Sequence, residues 1–270
     1  MENDPPIALV TGASSGIGLE LAKLFARDSY GLVLVGRSGD ALARAAKEVA
    51  SSGATVVRTI TKDLSMPDAA EEVFAALEGA HVDVLVNNAG VGLYGPFLEV
   101  PAAAEAAMMR LNMIALTQLT KLVAAKMATR RRGTILNVAS TAAFQPGPLM
   151  AVYYASKAYV LSFSEALASE LASVGIRVSV LCPGPTRTGF QQRAKMERSR
   201  LFDFGVMDAD VVARVAYRGL KRNKRIIIPG IRNKAMAAAV RFAPRRLLPY
   251  IVMQIQKPHG ERRAAENNTR

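Results

Sequence analysis

Residues 11–18 read TGASSGIG, and the reading of these eight residues decides the fold. They contain GASSG (12–16), which fits the G-x-S-x-G turn that presents a nucleophilic serine in hydrolases, here Ser14. They also carry Gly12, Gly16 and Gly18, spaced to suit a loop that wraps a phosphate. Glycine permits a tight turn and close backbone approach, and a following helix offers free N–H groups and the positive end of its dipole. A serine nucleophile needs a histidine later in the chain, and only His81 and His259 exist. An elbow also comes after several strands, whereas only ten residues precede this loop. The phosphate-cradling reading is preferred.

Outward from the loop, short β-branched runs alternate with alanine- and leucine-rich stretches. The strand candidates are IALVT (7–11), LVLVG (32–36), TVVRTI (55–60), VDVLVN (82–87), GTILNVA (133–139), IRVSVLC (176–182) and RIII (225–228). Most are continuously apolar, as strands covered on both faces should be. Helix-like segments separate them, including 19–29, 70–80, 104–128 and 156–172. This alternation predicts an α/β fold with a doubly wound parallel sheet and right-handed crossovers. In such sheets the ligand sits beyond the carboxyl ends of the strands, near the switch in winding.

The end of the second strand bears on the cofactor. An acid about 20 residues beyond the glycines would bind the ribose 2′-hydroxyl of NAD. This chain has Gly36, Arg37 and Ser38 there. A guanidinium suits a 2′-phosphate, so the position favours NADP over NAD. The competing reading is a solvated loop arginine.

Residues 153–157 read YYASK, placing Tyr153 and Lys157 on one face of a helical segment. A phenol ionises near pH 10, and a neighbouring ammonium is expected to lower that value. The pair would then serve as general acid for a carbonyl oxygen, or general base in reverse. Ser140 ends the NVAS strand and could hydrogen-bond the same oxygen. Asn112 sits mid-helix in MMRLNMIALT, a locally unfavourable place. It serves either a water chain to the lysine or a buried helix bend.

Taken in order, TGASSGIG (11–18), DL (63–64), NNAG (87–90), Asn112, Ser140, YYASK (153–157) and PGPTRT (183–188) give the chain a family likeness. From about Ile7 to about Gly230 it resembles the short-chain dehydrogenases/reductases. The resemblance implies a single Rossmann-type sheet of seven strands in residues 1–230, and hydride transfer between a nicotinamide and an alcohol or carbonyl. It implies a catalytic set of Asn112, Ser140, Tyr153 and Lys157. Gly12, Ser14, Ser15, Gly16, Ile17 and Gly18 would line the pyrophosphate and ribose, and Arg37 would meet the 2′-phosphate. Asp63 and Leu64 would lie at the adenine, with Asn88, Ala89 and Gly90 flanking the adenosine. Tyr153 and Lys157 would reach the nicotinamide ribose, and Pro183, Gly184, Thr186 and Thr188 the carboxamide end. NADP-preferring members often carry a second basic residue just before the middle glycine, where this chain has Ser15. The expected cofactor is therefore NADPH, with NAD as an alternative. The expected assembly is a homo-oligomer, dimer or tetramer. The competing function is an NADP(H)-binding redox sensor with little turnover; the intact Ser140, Tyr153 and Lys157 argue for the oxidoreductase.

Three segments should wall the substrate pocket: GLYGPF (92–97), TAAFQPGPLM (141–150) and 189–207. The first two are mostly apolar, which suits a lipophilic ketone, aldehyde or ketoacyl compound. The third mixes Phe190, Met196, Phe202 and Phe204 with Arg193, Lys195, Arg198 and Arg200, and reads as an amphipathic lid. A single cysteine, Cys182, excludes an internal disulfide framework and a cysteine-rich metal site. No metal site is expected.

The net charge of +13 is concentrated at one end. Residues 218–270 hold 14 Lys or Arg against 2 acids, leaving 21 and 20 for the rest. Residues 231–270 read as a basic, apolar, partly helical extension, with HGERRAAENNTR (259–270) disordered. The stretch 233–257 either lies in a membrane interface or packs over the pocket or a partner subunit. Nucleic-acid binding is not expected, since the basic residues alternate with aliphatics and no reading motif is present. Without a signal peptide or spanning segment, a cytoplasmic location is the expectation, with peripheral membrane association as the alternative.

Overall fold

Every strand candidate takes its place in one sheet. The computed structural model describes residues 5–190, 194 and 205–256. Its strands are β1 (Ile7–Thr11), β2 (Gly31–Gly36), β3 (Val57–Thr61), β4 (Val82–Asn87), β5 (Gly133–Val138), β6 (Ile176–Leu181), β7 (Thr186–Arg187), β8 (Met207–Asp208) and β9 (Ile226–Ile227). The main sheet is parallel, in the order β3-β2-β1-β4-β5-β6-β9, and β7 pairs with β8 in a separate ribbon. This is the expected doubly wound Rossmann-type arrangement. β9 keeps only two of the four residues in RIII (225–228).

The strands are apolar on both sides because both sides are covered. Alternate residues point to opposite faces of a strand. Ala8, Val10, Leu32, Leu34, Val84 and Val86 join one core cluster, whereas Leu9, Val33, Val35, Leu85 and Ile135 join another. The first is closed by α1 (Gly16–Arg27), α2 (Gly39–Ala50) and a later helix carrying Val212, Ala213 and Ala216; the second by α3 (Ala69–Ala75) and a helix carrying Leu119, Val123 and Met127. Phe25, 1% exposed, anchors the first cluster and packs edge-on against Tyr30 and Tyr217. Burial of a phenylalanine contributes about 1.5–3 kcal/mol. β3 breaks the apolar rule. It is the sheet edge, and its Arg58 and Thr59 are exposed.

The remaining helices are α4 (Ala102–Met109), α5 (Leu116–Thr129), α6 (Ala151–Glu170), α7 (Ala209–Lys221), α8 (Ile231–Ala239) and α9 (Leu248–Gln256). A wide turn, Arg110–Ala115, joins α4 to α5 as a π-helix. Of the extension, residues 231–256 supply α8 and α9. None of the helices in the described residues is long and apolar enough to cross a membrane.

The switch in winding falls between β1 and β4, where successive connections leave toward opposite ends of the sheet. The glycine loop crosses this point. Gly12 has φ +63°, and a Cβ there would stand 2.9 Å from the Ala89 Cα. Gly18 is tighter still: a Cβ would lie 2.5 Å from the Gly12 carbonyl oxygen and 2.4 Å from Asn88 Nδ2. Backbone must move to admit it. Gly18→Ala is expected to destabilise the fold by about 1–3 kcal/mol, read as a lower urea midpoint; an unchanged midpoint contradicts this packing.

Candidate active site

A cavity of about 860 Å³ runs along the carboxyl ends of the strands. Its floor is a set of hydrogen bonds at the switch point. The Thr11 hydroxyl accepts from the backbone N–H groups of Asn88 and Ala89, each at 3.0 Å, and donates to the Val86 carbonyl at 3.3 Å. The Asn88 side chain donates to the carbonyls of Thr11 and Gly12 at 3.0 and 3.1 Å. These bonds hold the glycine loop open beside the first turn of α1. Gly12, Ser14, Ser15, Gly16 and Ile17 line the cavity there, as do Asn88, Ala89 and Gly90.

At the β2 end, Gly36, Arg37, Ser38, Lys62 and Leu64 line the cavity. Arg37 is exposed at the rim. Asp63 does not face inward: its carboxylate accepts from the Ser65 N–H and hydroxyl at 2.9 and 2.7 Å. Partial burial pushes Asp63 up, but those bonds and the Arg37 charge outweigh it and hold the carboxyl below the usual range. Lys62, absent from the sequence-derived set, places a second cation near Arg37 and is ion-paired with Glu72. Its position at the end of β3, level with Gly36, was the signal available.

The other half of the cavity holds Ser140, Tyr153 and Lys157 together. Ser140 caps a short 3-10 turn, Thr141–Phe144, its hydroxyl accepting from the Ala142 N–H at 3.1 Å. Tyr153 and Lys157 stand one turn apart on α6, both buried. Lys157 Nζ donates to the Val138 carbonyl at 2.9 Å and lies 5.9 Å from the centre of the Tyr153 ring. Asn112 does not line the cavity. Its Oδ1 accepts from the Val91 N–H at 3.1 Å, and its Nδ2 donates to the Val91 carbonyl at 2.9 Å and the Ser156 hydroxyl at 3.1 Å. The π-turn thus exists where Asn112 pins the post-β4 loop to α6. Gly90 gives both groups room: a Cβ there would stand 3.3 Å from Asn112 Oδ1 and from Lys157 Nζ.

The electrostatics differ from the sequence expectation. Burial pushes the Tyr153 phenol up to about 12, against a hydrogen bond from Ser140 that pulls it down. Burial also brings Lys157 down to about 8. The lysine does not hold the phenol below its ordinary value in this geometry, because its ammonium is turned to a carbonyl and is itself desolvated. Burial therefore favours the neutral form of both groups.

Pro183, Gly184, Thr186 and Thr188 follow β6 and complete the strand-end rim. Gly18 is a packing residue outside the lining. Beyond Tyr153 the walls are apolar, with Phe144, Met150, Tyr154 and Phe190 joined by α8 and α9. Tyr154 accepts a 2.7 Å bond from the side chain of Gln256, while Tyr94 donates to the Gln256 carbonyl at 2.8 Å. Both tyrosines therefore clamp the end of α9 over the chamber. Of the lid segment, 191–193 and 195–204 lie outside the described residues, as does the tail from 257 onward. Among the described residues no histidine stands beside Ser14: His81 precedes β4, roughly one strand length, about 17 Å, from the carboxyl ends where Ser14 sits; His259 lies outside the described residues.

The cradle fits a dinucleotide. Two glycines at positive φ, Gly12 and Gly16, shape the loop at the head of α1, which offers N–H groups to a pyrophosphate, and two cations sit at the β2 end.

The short chain dehydrogenase family model matches residues 6–199, and the chain belongs to that family. It is 36% identical over 180 residues to the very-long-chain 3-oxoacyl-CoA reductase-B of Danio rerio, covering 65% of this chain and 58% of that protein. The chain thus spans less than two thirds of the length of the curated relatives it matches. A short-chain dehydrogenase from Sphingobium yanoikuyae in complex with NADPH superposes with a TM-score of 0.80 at 34% identity, over 88% of this chain and 94% of that one. The bulky-bulky ketone specific alcohol dehydrogenase from Comamonas testosteroni gives 0.76 at 31%, over 92% and 100%.

Burial of Lys157 makes a prediction about pH. The unfolded chain keeps this lysine charged up to its ordinary value of 10.5, whereas the folded chain releases the proton near 8. Between those values the unfolded state binds more protons, so this group's contribution to stability rises with pH. The ligand-free Lys157→Met variant should melt higher than the parent near neutral pH, with the gap closing from about pH 8 toward 10.5. A constant gap would show that lysine burial is not the cause.

Proposed function

We propose that this chain is an NADP(H)-dependent oxidoreductase that interconverts a lipophilic ketone, or a ketoacyl compound, and its alcohol. One observation carries the reading: a buried Tyr153 shares with Ser140 and Lys157 the place where a dinucleotide cradle meets an apolar chamber. The names of the relatives support the substrate class, being a 3-oxoacyl-CoA reductase and a bulky-ketone alcohol dehydrogenase. Arg37 and Lys62 at the β2 end support a 2′-phosphate, with NAD accepted more weakly. Residues 1–230 act as the catalytic domain, and 231–270 as an extension whose helices complete its chamber. Exposed Met109 and Ile114 on the α4–α5 run support a homo-oligomer.

NADPH, held by the glycine loop, Arg37 and Lys62, would supply a hydride for the carbonyl carbon. Tyr153 Oη donates its proton to the carbonyl oxygen as negative charge develops there. Ser140 Oγ donates a hydrogen bond to the same oxygen and orients it. Lys157 would hold the nicotinamide ribose. Asn112 acts through Ser156 and Val91, fixing the loop and helix around the lysine. The apolar chamber excludes water from the developing charge.

Tyr153→Phe should lose at least about a thousandfold in kcat, while NADPH fluorescence titration shows cofactor binding largely retained. Comparable turnover with cofactor bound removes Tyr153 from the proton transfer. Arg37→Glu should raise the KM for NADPH by roughly tenfold or more and leave that for NADH little changed; equal effects on both would deny a 2′-phosphate contact.

A further inference from the structure

The extension has an outer face as well as an inner one. Inward, Ala237, Leu248 and Val252 are buried and line the cavity. Outward, Ile231, Phe242, Leu247 and Tyr250 are exposed, Phe242 at 88% and Tyr250 at 68%. Met236 and Ile251 belong to both: each lines the cavity and is about half exposed. The chamber therefore reaches the surface through an apolar patch. Exposed Arg241, Arg245 and Arg246 lie in the same stretch, and no acidic residue occurs between Asp210 and Glu261.

Exposed large apolar groups clustered in this way mark a binding surface. A second copy of the chain is a poor occupant, because a two-fold contact would set this arginine cluster against its own image. An anionic lipid surface accepts both features, with aromatic and aliphatic tips entering the headgroup layer and arginines meeting phosphates. We propose that α8, α9 and the turn between them dock the protein onto an anionic lipid bilayer with the chamber mouth facing the lipid. A lipophilic substrate then reaches Tyr153 without crossing water. That route rests on the function proposed above, whereas the docking does not.

The full chain should sediment with vesicles of phosphatidylcholine mixed with phosphatidylserine. It should do so far less with phosphatidylcholine alone, and high salt should release it. Phe242→Ser with Tyr250→Ser, and separately Arg245→Glu with Arg246→Glu, should each weaken binding by roughly tenfold or more. Both variants should keep the parent's melting temperature and its NADPH oxidation with a small soluble ketone, since none of these four residues lines the cavity. Equal binding to both vesicle types, or unweakened binding by both variants, overturns the docking. So does a drop in solution mass on substitution, which would assign the patch to a second copy. Vesicle binding without ketone reduction by the parent would sink the enzymatic reading and leave the docking standing.

Discussion

The hydroxyl of Thr11 ties the tips of β1 and β4 together, and the site is built around that tie. It satisfies two backbone N–H groups of the post-β4 loop and hands its own proton back to β4. The side chain is only 2% exposed, so no bulk water can replace those bonds. Leaving a buried donor unsatisfied costs about 1–3 kcal/mol. At the switch point the chain has no continuous connection to hold these strands in line, and side-chain bonding does it instead. Asn88 adds the second half of the joint by capturing the Thr11 and Gly12 carbonyls. Gly12 and Gly18 are glycines for the same reason: Asn88 and Ala89 occupy the space a side chain would need.

Behind this joint the sheet carries a polar interior that apolar strands alone would not foretell. Asn87 on β4 donates to Thr120 on α5 and to Asn137 on β5, and Asn137 donates to Ser164 on α6. Asn112 and Ser156 make a parallel link between the π-turn and α6. All six side chains are buried, and each makes at least one of these bonds. Such a network rigidifies α6 against the strand ends when its members are satisfied. Tyr153 and Lys157 ride on that helix, so the network sets their register to Ser140. The cost is desolvation, visible in the opposite displacements of the phenol and the ammonium from their ordinary values.

Local pattern carried most of the fold and the glycine-loop half of the cavity. All seven strand candidates lie in the main sheet, because buried parallel strands leave an apolar signature that needs no knowledge of their partners. The glycine loop was legible for the same reason, since its chemistry is contained in eight consecutive residues. What stayed hidden depends on distant contacts. Lys62 joins Arg37 only through the pairing of β2 with β3, and Gln256 meets Tyr94 and Tyr154 across separations of 162 and 102 residues. Asn112 was legible as an anomaly, a polar residue mid-helix, but its π-turn and its grip on Val91 were not. The expected effect of Lys157 on the phenol failed because a four-residue spacing states proximity and says nothing of burial.

The extension shows how one apolar composition can serve two faces of a helix. Its sequence suits a cover for the pocket or a partner subunit as well as a membrane face, and the cavity lining accounts for one side of it. A helix of nine residues has more than one side, and α9 uses the inner one for Leu248 and Val252 while leaving Tyr250 outside. The tyrosine clamp on Gln256 fixes which side faces in, because the glutamine is completely buried between α9 and the chamber wall. Once that rotation is set, Ile251 must fall at the boundary, one residue from buried Val252 and one from exposed Tyr250. A chamber whose wall is a single helix thick opens wherever such a boundary residue is apolar and half exposed. The hydrophobicity that lines the chamber therefore continues, without a polar break at that point, to the surface.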